Sequence, residues 1–164
     1  MSAALTAATS TVKETQALGA ALAEIAQPRD IVLLSGDLGS GKTAFVQGFA
    51  GGLGVLENVV SPTFTIARDY EGRLRLHHLD VYRLDHLQEA IDLGLAELTD
   101  DGGVTLIEWG EVVIPALPPD YLEVRFSYGE DDDDRVIGLV PVGVHWVARM
   151  GALAEVLAPW RGGR

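Results

Sequence analysis

The chain has 164 residues, of which 48% are hydrophobic and 22% are charged. This balance fits one globular domain and excludes a disordered, collagen-like or coiled-coil chain. The absence of cysteine excludes disulfides, thiolate metal sites and cysteine nucleophiles, and a formal net charge of −12 argues against stable nucleic-acid binding by this chain alone.

No targeting or membrane segment is predicted. The N-terminal residues lack the basic stretch before an apolar core that marks a signal peptide. The longest apolar stretch, residues 136–148, is interrupted by Gly138, Pro141 and Gly143 and falls short of the ~18 residues that a membrane helix needs. We therefore expect a cytoplasmic protein that does not interact with membranes.

The first predicted elements are a helix and a buried strand. Thr11 and Glu14 have the spacing of a capping box, and apolar residues recur on one face behind them, so a helix is predicted over residues 11–26. Pro28 ends it. The continuous apolar run 31–34 predicts a strand that is buried on both faces of a sheet.

A glycine-rich turn over residues 36–41 leads into the next predicted helix. This helix starts near Lys42 and directs Phe45, Phe49 and Leu53 inward. A cluster of glycines after Ala50 ends it.

The middle of the chain predicts a hairpin and a further helix. Residues 63–70 alternate as a strand, the Glu71-Gly72 pair makes the turn, and residues 74–76 begin the returning strand. The next helix is predicted to start at Asp85. Its apolar stripe contains Leu87, Ile91 and Leu95.

The last third predicts more strands and a terminal helix. Residues 104–107 form a second buried-type strand. The alternating residues 122–126 predict a strand that pairs antiparallel with residues 135–140, and the acidic residues 130–134 form the solvated loop between them. Residues 144–164 predict a helix that packs on the core.

Helices that alternate with buried strands predict an α/β fold. A loop is expected around Pro115, Pro118 and Pro119. Neither a repeat nor a long linker divides the chain, so residues 1–164 are expected to form a single domain.

The glycine-rich turn carries a phosphate-binding motif, G-x-x-x-x-G-K-[ST]. Its residues are Gly36, Asp37, Leu38, Gly39, Ser40, Gly41, Lys42 and Thr43. Glycines let successive backbone N–H groups turn toward a polyphosphate, and the following helix directs its positive dipole end at the same phosphates. Lys42 is expected to reach the β- and γ-phosphates, and the Thr43 hydroxyl to ligate magnesium.

Three further side chains are candidates for hydrolysis. Glu108 ends the buried strand 104–107, and ligands lie at the carboxyl ends of strands in such sheets. Asp80 ends an alternating strand, and Thr63 follows a rigid Ser-Pro turn, where a threonine can sense a γ-phosphate. Purely structural interpretations stay open for each: Glu108 could face solvent at a strand end, Asp80 could form a turn, and Thr63 could start a strand. Trp109 can shield the site or fill the core.

The four histidines do not have a metal-binding spacing. His77 and His78 are adjacent, so on a strand they point to opposite faces, and we assign them no chemistry.

The base is predicted to be adenine. Guanine-reading switch proteins use an Asn-Lys-x-Asp sequence, but here the single asparagine, Asn58, is followed by Val59. The expected cofactors are therefore ATP and Mg²⁺.

Four motifs together resemble the TsaE family, formerly YjeE, the bacterial ATPases of tRNA threonylcarbamoyladenosine synthesis. They are GDLGSGKT at residues 36–43, SPTFT at 61–65, HLDVYRL at 78–84 and LIEW at 106–109. The resemblance covers roughly residues 10–128. It implies a small P-loop NTPase with a mixed, largely parallel central sheet flanked by helices.

The resemblance also implies partners and an activity. The partners would be TsaD, which transfers the threonylcarbamoyl group, and TsaB, its scaffold. The chain would be an ATPase that is slow alone and couples ATP binding and hydrolysis to turnover of the TsaB–TsaD pair, without performing the transfer itself. The modified adenosine lies next to the anticodon, and tRNA would be held mainly by the partners.

By position, the resemblance assigns phosphate binding to Lys42, magnesium to Thr43 and Glu108, hydrolysis to Asp80, and a switch-like loop to Thr63. Trp109 would lie beside the nucleotide, and an adenine pocket would lie near residues 10–12. Arg68, Arg83 and Arg135 are candidates for stabilising developing charge.

Two other functions stay open at this point: a P-loop small-molecule kinase, and a nucleotide-gated adaptor without meaningful hydrolysis.

Overall fold

The computed structural model describes residues 4–37, 39–60, 67–81, 87–92 and 94–161. The strands are β1 (Leu5–Thr9), β2 (Ile31–Ser35), β3 (Ala67–Tyr70), β4 (Leu76–Asp80), β5 (Val104–Glu108), β6 (Tyr121–Tyr128) and β7 (Arg135–Val142). The α-helices are α1 (Val12–Glu24), α2 (Lys42–Gly52), α3 (Leu87–Asp92), α4 (Leu95–Thr99), α5 (Val144–Val147) and α6 (Met150–Leu157). Short 3₁₀ helices cover Gly110–Ala116 and Ala158–Trp160.

The strands form one sheet in the order β1-β7-β6-β2-β5-β4-β3. Strands β6, β2, β5 and β4 are parallel neighbours, whereas β3 and β7 run antiparallel to them. Strand β1 is antiparallel to β7, so it points the same way as β6, and five of the seven strands share one direction. The predicted α/β fold with a mixed, largely parallel sheet flanked by helices is confirmed.

Strand β2 is buried on both faces because its side chains serve two cores. Val32 and Leu34 belong to the larger apolar cluster, which includes residues of α1, α2 and α6. Ile31 and Leu33 belong to a second cluster with residues of α4 and of the 3₁₀ helix 110–116. Successive side chains of a strand alternate between faces, so an unbroken apolar run fits a strand between two helical layers. This confirms the prediction for residues 31–34.

Helices α1 and α2 approach each other closely at two glycines. A Cβ atom at Gly48 would lie 1.8 Å from the carbonyl oxygen of Gln16, and one at Gly19 would lie 2.3 Å from the carbonyl oxygen of Phe45. No side chain fits at either place, so the helices pack backbone against backbone. Helix α2 begins at Lys42. Its packing on α1 therefore also fixes where the start of α2 points.

Helix α1 begins as its sequence predicts. Thr11 is the N-cap, and its hydroxyl accepts a hydrogen bond from the Glu14 N–H at 3.0 Å. The Glu14 carboxylate in turn accepts from the Ser10 N–H at 2.9 Å. These bonds satisfy backbone donors that a helix start otherwise leaves open.

Two predictions of regular structure are wrong in detail. The helix expected from Asp85 is divided into α3 and α4 because Gly94, at φ +75°, precedes Leu95 and ends the first helix. Ile91 is 51% exposed, so it does not share a buried stripe with Leu95. The proline-marked loop holds a 3₁₀ helix, with Pro115 inside it. The predicted start at Asp85 lies outside the described residues.

The chain ends also differ from the predictions. Strand β1 was not predicted; it pairs with β7 and buries Ala7 and Thr9. Residues 144–160 form α5, α6 and a 3₁₀ turn instead of one helix, although Trp146, Leu153 and Leu157 are buried as expected. The antiparallel hairpin of β6 and β7 with its acidic loop is confirmed. Within the described ranges, no helix has both the length and the apolar character needed to cross a membrane.

The outer part of the sheet is tied together by His77 of β4. Its Nδ1 lies 2.8 Å from a carboxylate oxygen of Asp69 in β3, and its Nε2 lies 2.7 Å from one of Asp101, which precedes β5. Burial raises the pKa of the Asp101 carboxyl, but hydrogen bonds from the Gly103 N–H and from His77 outweigh burial and lower that pKa below its ordinary value.

Replacement of Gly48 by alanine is expected to destabilise the protein by about 2–3 kcal/mol, because the new methyl group must push α1 and α2 apart. Gly51→Ala is the matched control on the same helix, since a Cβ atom there meets nothing within 4 Å. That control should be neutral or stabilising by up to ~1 kcal/mol. Urea unfolding measures both, and equal effects would contradict the packing described here.

Replacement of Asp101 by asparagine is expected to lower the free energy of unfolding near neutral pH by about 1 kcal/mol or less, because this carboxyl is partly exposed. A lowered folded-state pKa means that the carboxylate stabilises the fold above its ordinary pKa of 3.8 and that this contribution is lost as pH falls through the folded-state pKa. Denaturation across the acid range should therefore show the two proteins converging. Asp100→Asn, at a side chain that is 80% exposed, is the control.

Candidate nucleotide-binding site

The glycine-rich turn links the end of β2 to the start of α2. Gly36 has φ +143°, and a Cβ atom there would lie 2.7 Å from the carbonyl oxygen of Phe126. Gly41 has φ +108° and is the N-cap of α2, where no side chain caps the helix. The start of α2 therefore has no side-chain cap, and a helix start reached through a glycine-rich turn is an arrangement that binds phosphate.

Lys42 reaches back over this turn. Its side chain is buried, and its Nζ donates hydrogen bonds to the carbonyl oxygens of Gly36 at 2.5 Å and Asp37 at 3.0 Å. The same ammonium lies 3.9 Å from the centre of the Trp109 ring. A positive charge is therefore held at the mouth of the turn.

Trp109 has an uncommon backbone conformation for a bulky residue. Its φ is +61°, and its N–H donates to the carbonyl oxygen of Leu34 at 2.9 Å. Large side chains rarely adopt a positive φ, and such strain is concentrated at functional sites. The strained turn after β5 places the indole beside Lys42, where it also packs against the second apolar cluster.

Two carboxylates end neighbouring strands on the same edge. Asp80 and Glu108 are register partners at the ends of the parallel strands β4 and β5, and Leu34 of β2 is the other neighbour of Glu108. Carboxyl ends of parallel strands meet at one edge of a sheet, so both acids lie on the edge where the glycine-rich turn begins. Glu108 is 4% exposed, which excludes the interpretation of a strand-end acid in solvent.

His78 belongs to this cluster, although the sequence assigned it no chemistry. Its Nε2 lies 2.6 Å from Oε2 of Glu108, and both side chains are buried. Side chains two apart share a face of a strand, so His78 and Asp80 lie on one face of β4. The sequence offered no signal for the contact, because it depends on the register of β4 against β5.

The remaining candidate residues are placed as follows. Thr43 is the second residue of α2 and is half-buried. Ser40 is buried, and its hydroxyl oxygen has no hydrogen-bond partner within the part of the chain that the structure describes. Gly39 has φ +79°. Leu38 and Thr63 lie outside the described residues.

Arg135 contacts the turn from the side. Its Nε donates to the carbonyl oxygen of Ser40 at 3.0 Å and an amino group donates to that of Gly39 at 3.3 Å. The other amino group donates to the carbonyl oxygens of Asp132 and Asp134 at 2.6 and 2.9 Å. Its donors thus join the glycine-rich turn to the acidic loop, so Arg135 supports the turn, and its role in stabilising developing charge stays a prediction.

Comparisons with known proteins bear on these residues. The sequence model described as "Threonylcarbamoyl adenosine biosynthesis protein TsaE" matches residues 9–137. The chain belongs to the TsaE family. This confirms the resemblance drawn from the four motifs, and the family's role is in the biosynthesis of tRNA threonylcarbamoyladenosine.

Individual relatives agree with the family match. The TsaE of Bacillus subtilis is 44% identical over 132 residues, covering 80% of this chain and 82% of that protein. The TsaE of Treponema pallidum is 44% identical over 106 residues, covering 65% of this chain and 78% of that protein. The crystal structure of Bacillus subtilis YdiB has a TM-score of 0.83 and 36% identity, covering 94% of this chain and 97% of that one.

The TsaE match includes the glycine-rich turn, Asp80, Glu108 and Arg135 but stops short of α5 and α6. The elements that form the candidate site therefore lie within the family region. The two C-terminal helices instead contribute Trp146, Leu153 and Leu157 to the core.

Loss of the Arg135 contacts is expected to loosen the glycine-rich turn. In Arg135→Met, the amides of residues 36–43 should exchange hydrogen about tenfold faster, because the carbonyls of Gly39 and Ser40 lose their donors. Hydrogen–deuterium exchange followed by mass spectrometry measures this. Arg125→Met is the control, since among the described residues that arginine pairs with Glu123 on the surface of β6. Unchanged exchange in Arg135→Met would show that the contacts do not support the turn.

Proposed function

We propose that this chain is a P-loop ATPase of tRNA threonylcarbamoyladenosine biosynthesis that couples ATP binding and hydrolysis to the turnover of a TsaB–TsaD complex. The observation that carries the proposal is the meeting of Lys42, the uncapped start of α2 and the buried carboxylate of Glu108 at one edge of the sheet. Family membership supports the pathway, and the site chemistry supports the activity.

The turn fits a polyphosphate in shape and in charge. Gly36 lies where any Cβ atom would clash, and Gly41 leaves the start of α2 without a side-chain cap. Lys42 already bonds two carbonyl oxygens of the turn, so a phosphate would exchange those weak acceptors for charged ones. The hydroxyl of buried Ser40, which has no partner among the described residues, is a further donor in the same loop.

The donors for Mg²⁺ would be the Thr43 hydroxyl and the Glu108 carboxylate. Hydroxyl and carboxylate oxygens, together with phosphate oxygens, are the ligands that this ion prefers. When bound, Mg²⁺ supplies positive charge that offsets the negative charge of the phosphates. Asp80, at the end of the adjacent strand, would help orient the attacking water, and Trp109 would screen the phosphates from bulk water.

A cavity of about 980 Å³ beside the turn is the proposed site of the adenosine moiety. It is lined by residues 8–10 at the end of β1 and by residues 129–136. Arg135 both lines this cavity and bonds the turn, so the cavity lies next to the turn. ATP is favoured over GTP because the chain lacks the Asn-Lys-x-Asp sequence that reads guanine.

Hydrolysis by the free chain is proposed to be slow, with partner docking completing the site through Thr63 and Asp80. The chain does not transfer the threonylcarbamoyl group. The net charge of −12 supports a division of labour in which TsaB and TsaD hold the tRNA. The cytoplasm remains the predicted location.

The test is Mg²⁺-dependent ATP hydrolysis by the chain alone and with purified TsaB–TsaD. We expect the pair to stimulate hydrolysis, and Lys42→Ala to reduce the stimulated rate at least ~100-fold through loss of phosphate stabilisation. Lys13→Ala, which removes the other lysine of the chain at an exposed position of α1, is the matched control and should retain the rate.

Glu108→Gln separates binding from turnover in the same assay. It should retain ADP binding while losing most hydrolysis, because the amide cannot supply a charged ligand. Equal loss of both would identify Glu108 as structural. Tight ATP binding without hydrolysis in the presence of TsaB–TsaD would indicate an adaptor, and a phosphorylated small-molecule product would indicate a kinase.

A further inference from the structure

We propose that His78 is a positioning residue for Glu108: its Nε2–H donates a hydrogen bond to Oε2 and leaves Oε1 to serve the nucleotide site. The proposal rests on the proposed function, because it assigns the task that Glu108 performs there. His78 itself would touch neither the nucleotide nor the metal.

The contact is short and enclosed. His78 Nε2 and Glu108 Oε2 are 2.6 Å apart, and the two side chains are 0% and 5% exposed. Water therefore does not compete for this bond, and the low local polarity strengthens it. A buried carboxylate without such a donor would bear the full cost of its lost hydration.

The second ring nitrogen fixes the direction of the bond. His78 Nδ1 is buried and has no hydrogen-bond partner among the described residues. A hydrogen on Nδ1 would be an orphaned buried donor, which folded proteins rarely tolerate. A hydrogen on Nε2 instead has an acceptor, the Glu108 carboxylate.

The strands make the arrangement rigid. His78 is the register partner of Leu106, which lies two residues before Glu108 on the same face of β5. A glutamate side chain has three rotatable bonds, and one fixed donor on a neighbouring strand restricts them. Asp80 lies on the same face, so the bond from His78 holds the Glu108 carboxylate on the face that also carries Asp80.

Two variants of His78 test the proposal in the TsaB–TsaD assay. His78→Leu removes the donor and is expected to lower kcat and to raise the Mg²⁺ concentration needed for half-maximal rate, each by about tenfold. His78→Gln keeps an N–H donor and should recover much of both. Affinity for ADP without Mg²⁺, measured by calorimetry, should stay within about twofold in each, because the phosphate turn is intact.

His77→Gln is the matched control on the neighbouring residue. It loosens the bridge between Asp69 and Asp101, so it should lower stability while kcat and the Mg²⁺ requirement stay unchanged. If His78→Leu behaves like His77→Gln, the positioning role is overturned. Failure of His78→Gln to recover activity above His78→Leu also overturns it.

A readout without turnover comes from the ring nitrogens. Nitrogen-15 NMR of the wild-type chain should show His78 with a hydrogen on Nε2, and Glu108→Gln should shift the Nε2 signal. An Nε2 without a hydrogen would overturn the proposal, because it could not donate to Glu108. If the wild-type chain does not hydrolyse ATP, the proposed function fails, whereas this measurement still decides whether His78 donates to Glu108.

Discussion

The parallel pairing of β2 with β5 is the constraint on which the candidate site depends. In this register Leu34 lies beside Glu108, and the Trp109 N–H donates to the carbonyl oxygen of Leu34. The chain leaves β2 into the glycine-rich turn and leaves β5 at Trp109, so both strands end at one level. A different register would separate Glu108 from the turn, because a shift of one residue in the pairing moves every side chain of the strand to the other face of the sheet.

Around this pairing, the site combines buried polar groups with unusual backbone conformations. Lys42, Ser40, His78 and Glu108 are all buried, and each needs partners or a ligand to offset lost hydration. Trp109 adds a positive φ. The two apolar clusters and the close packing of α1 on α2 supply the stability that offsets these unfavourable free energies. Neither depends on the site.

The two buried pairs of the site are linked through adjacent residues. Glu108 is hydrogen-bonded to His78, and the ring of the next residue, Trp109, lies against the Lys42 ammonium. A change in the backbone at the end of β5 would therefore move the Glu108 carboxylate and the Trp109 ring together. Arg135 forms hydrogen bonds to both the turn and the acidic loop, so it gives the turn a second support.

The sequence by itself determined the elements whose signals are local. The glycine-rich turn, the buried strands β2 and β5, the start of α1 and the hairpin of β6 and β7 all follow from spacings of a few residues, because capping, glycine turns and two-residue periodicity act between near neighbours. Asp80 and Glu108 were recognisable as strand-end acids. The family resemblance was equally readable, since its four motifs are short.

Only the tertiary structure decided which distant residues meet. The short β1, rich in alanine and threonine, is a strand because β7 pairs with it, and exposed Ile91 lost its predicted place when Gly94 divided the helix. His78 and Glu108 are 30 positions apart, and Arg135 and Ser40 are 95 apart. The physical reason is that strand order and register set such contacts, and both arise from packing the whole sheet between its helices.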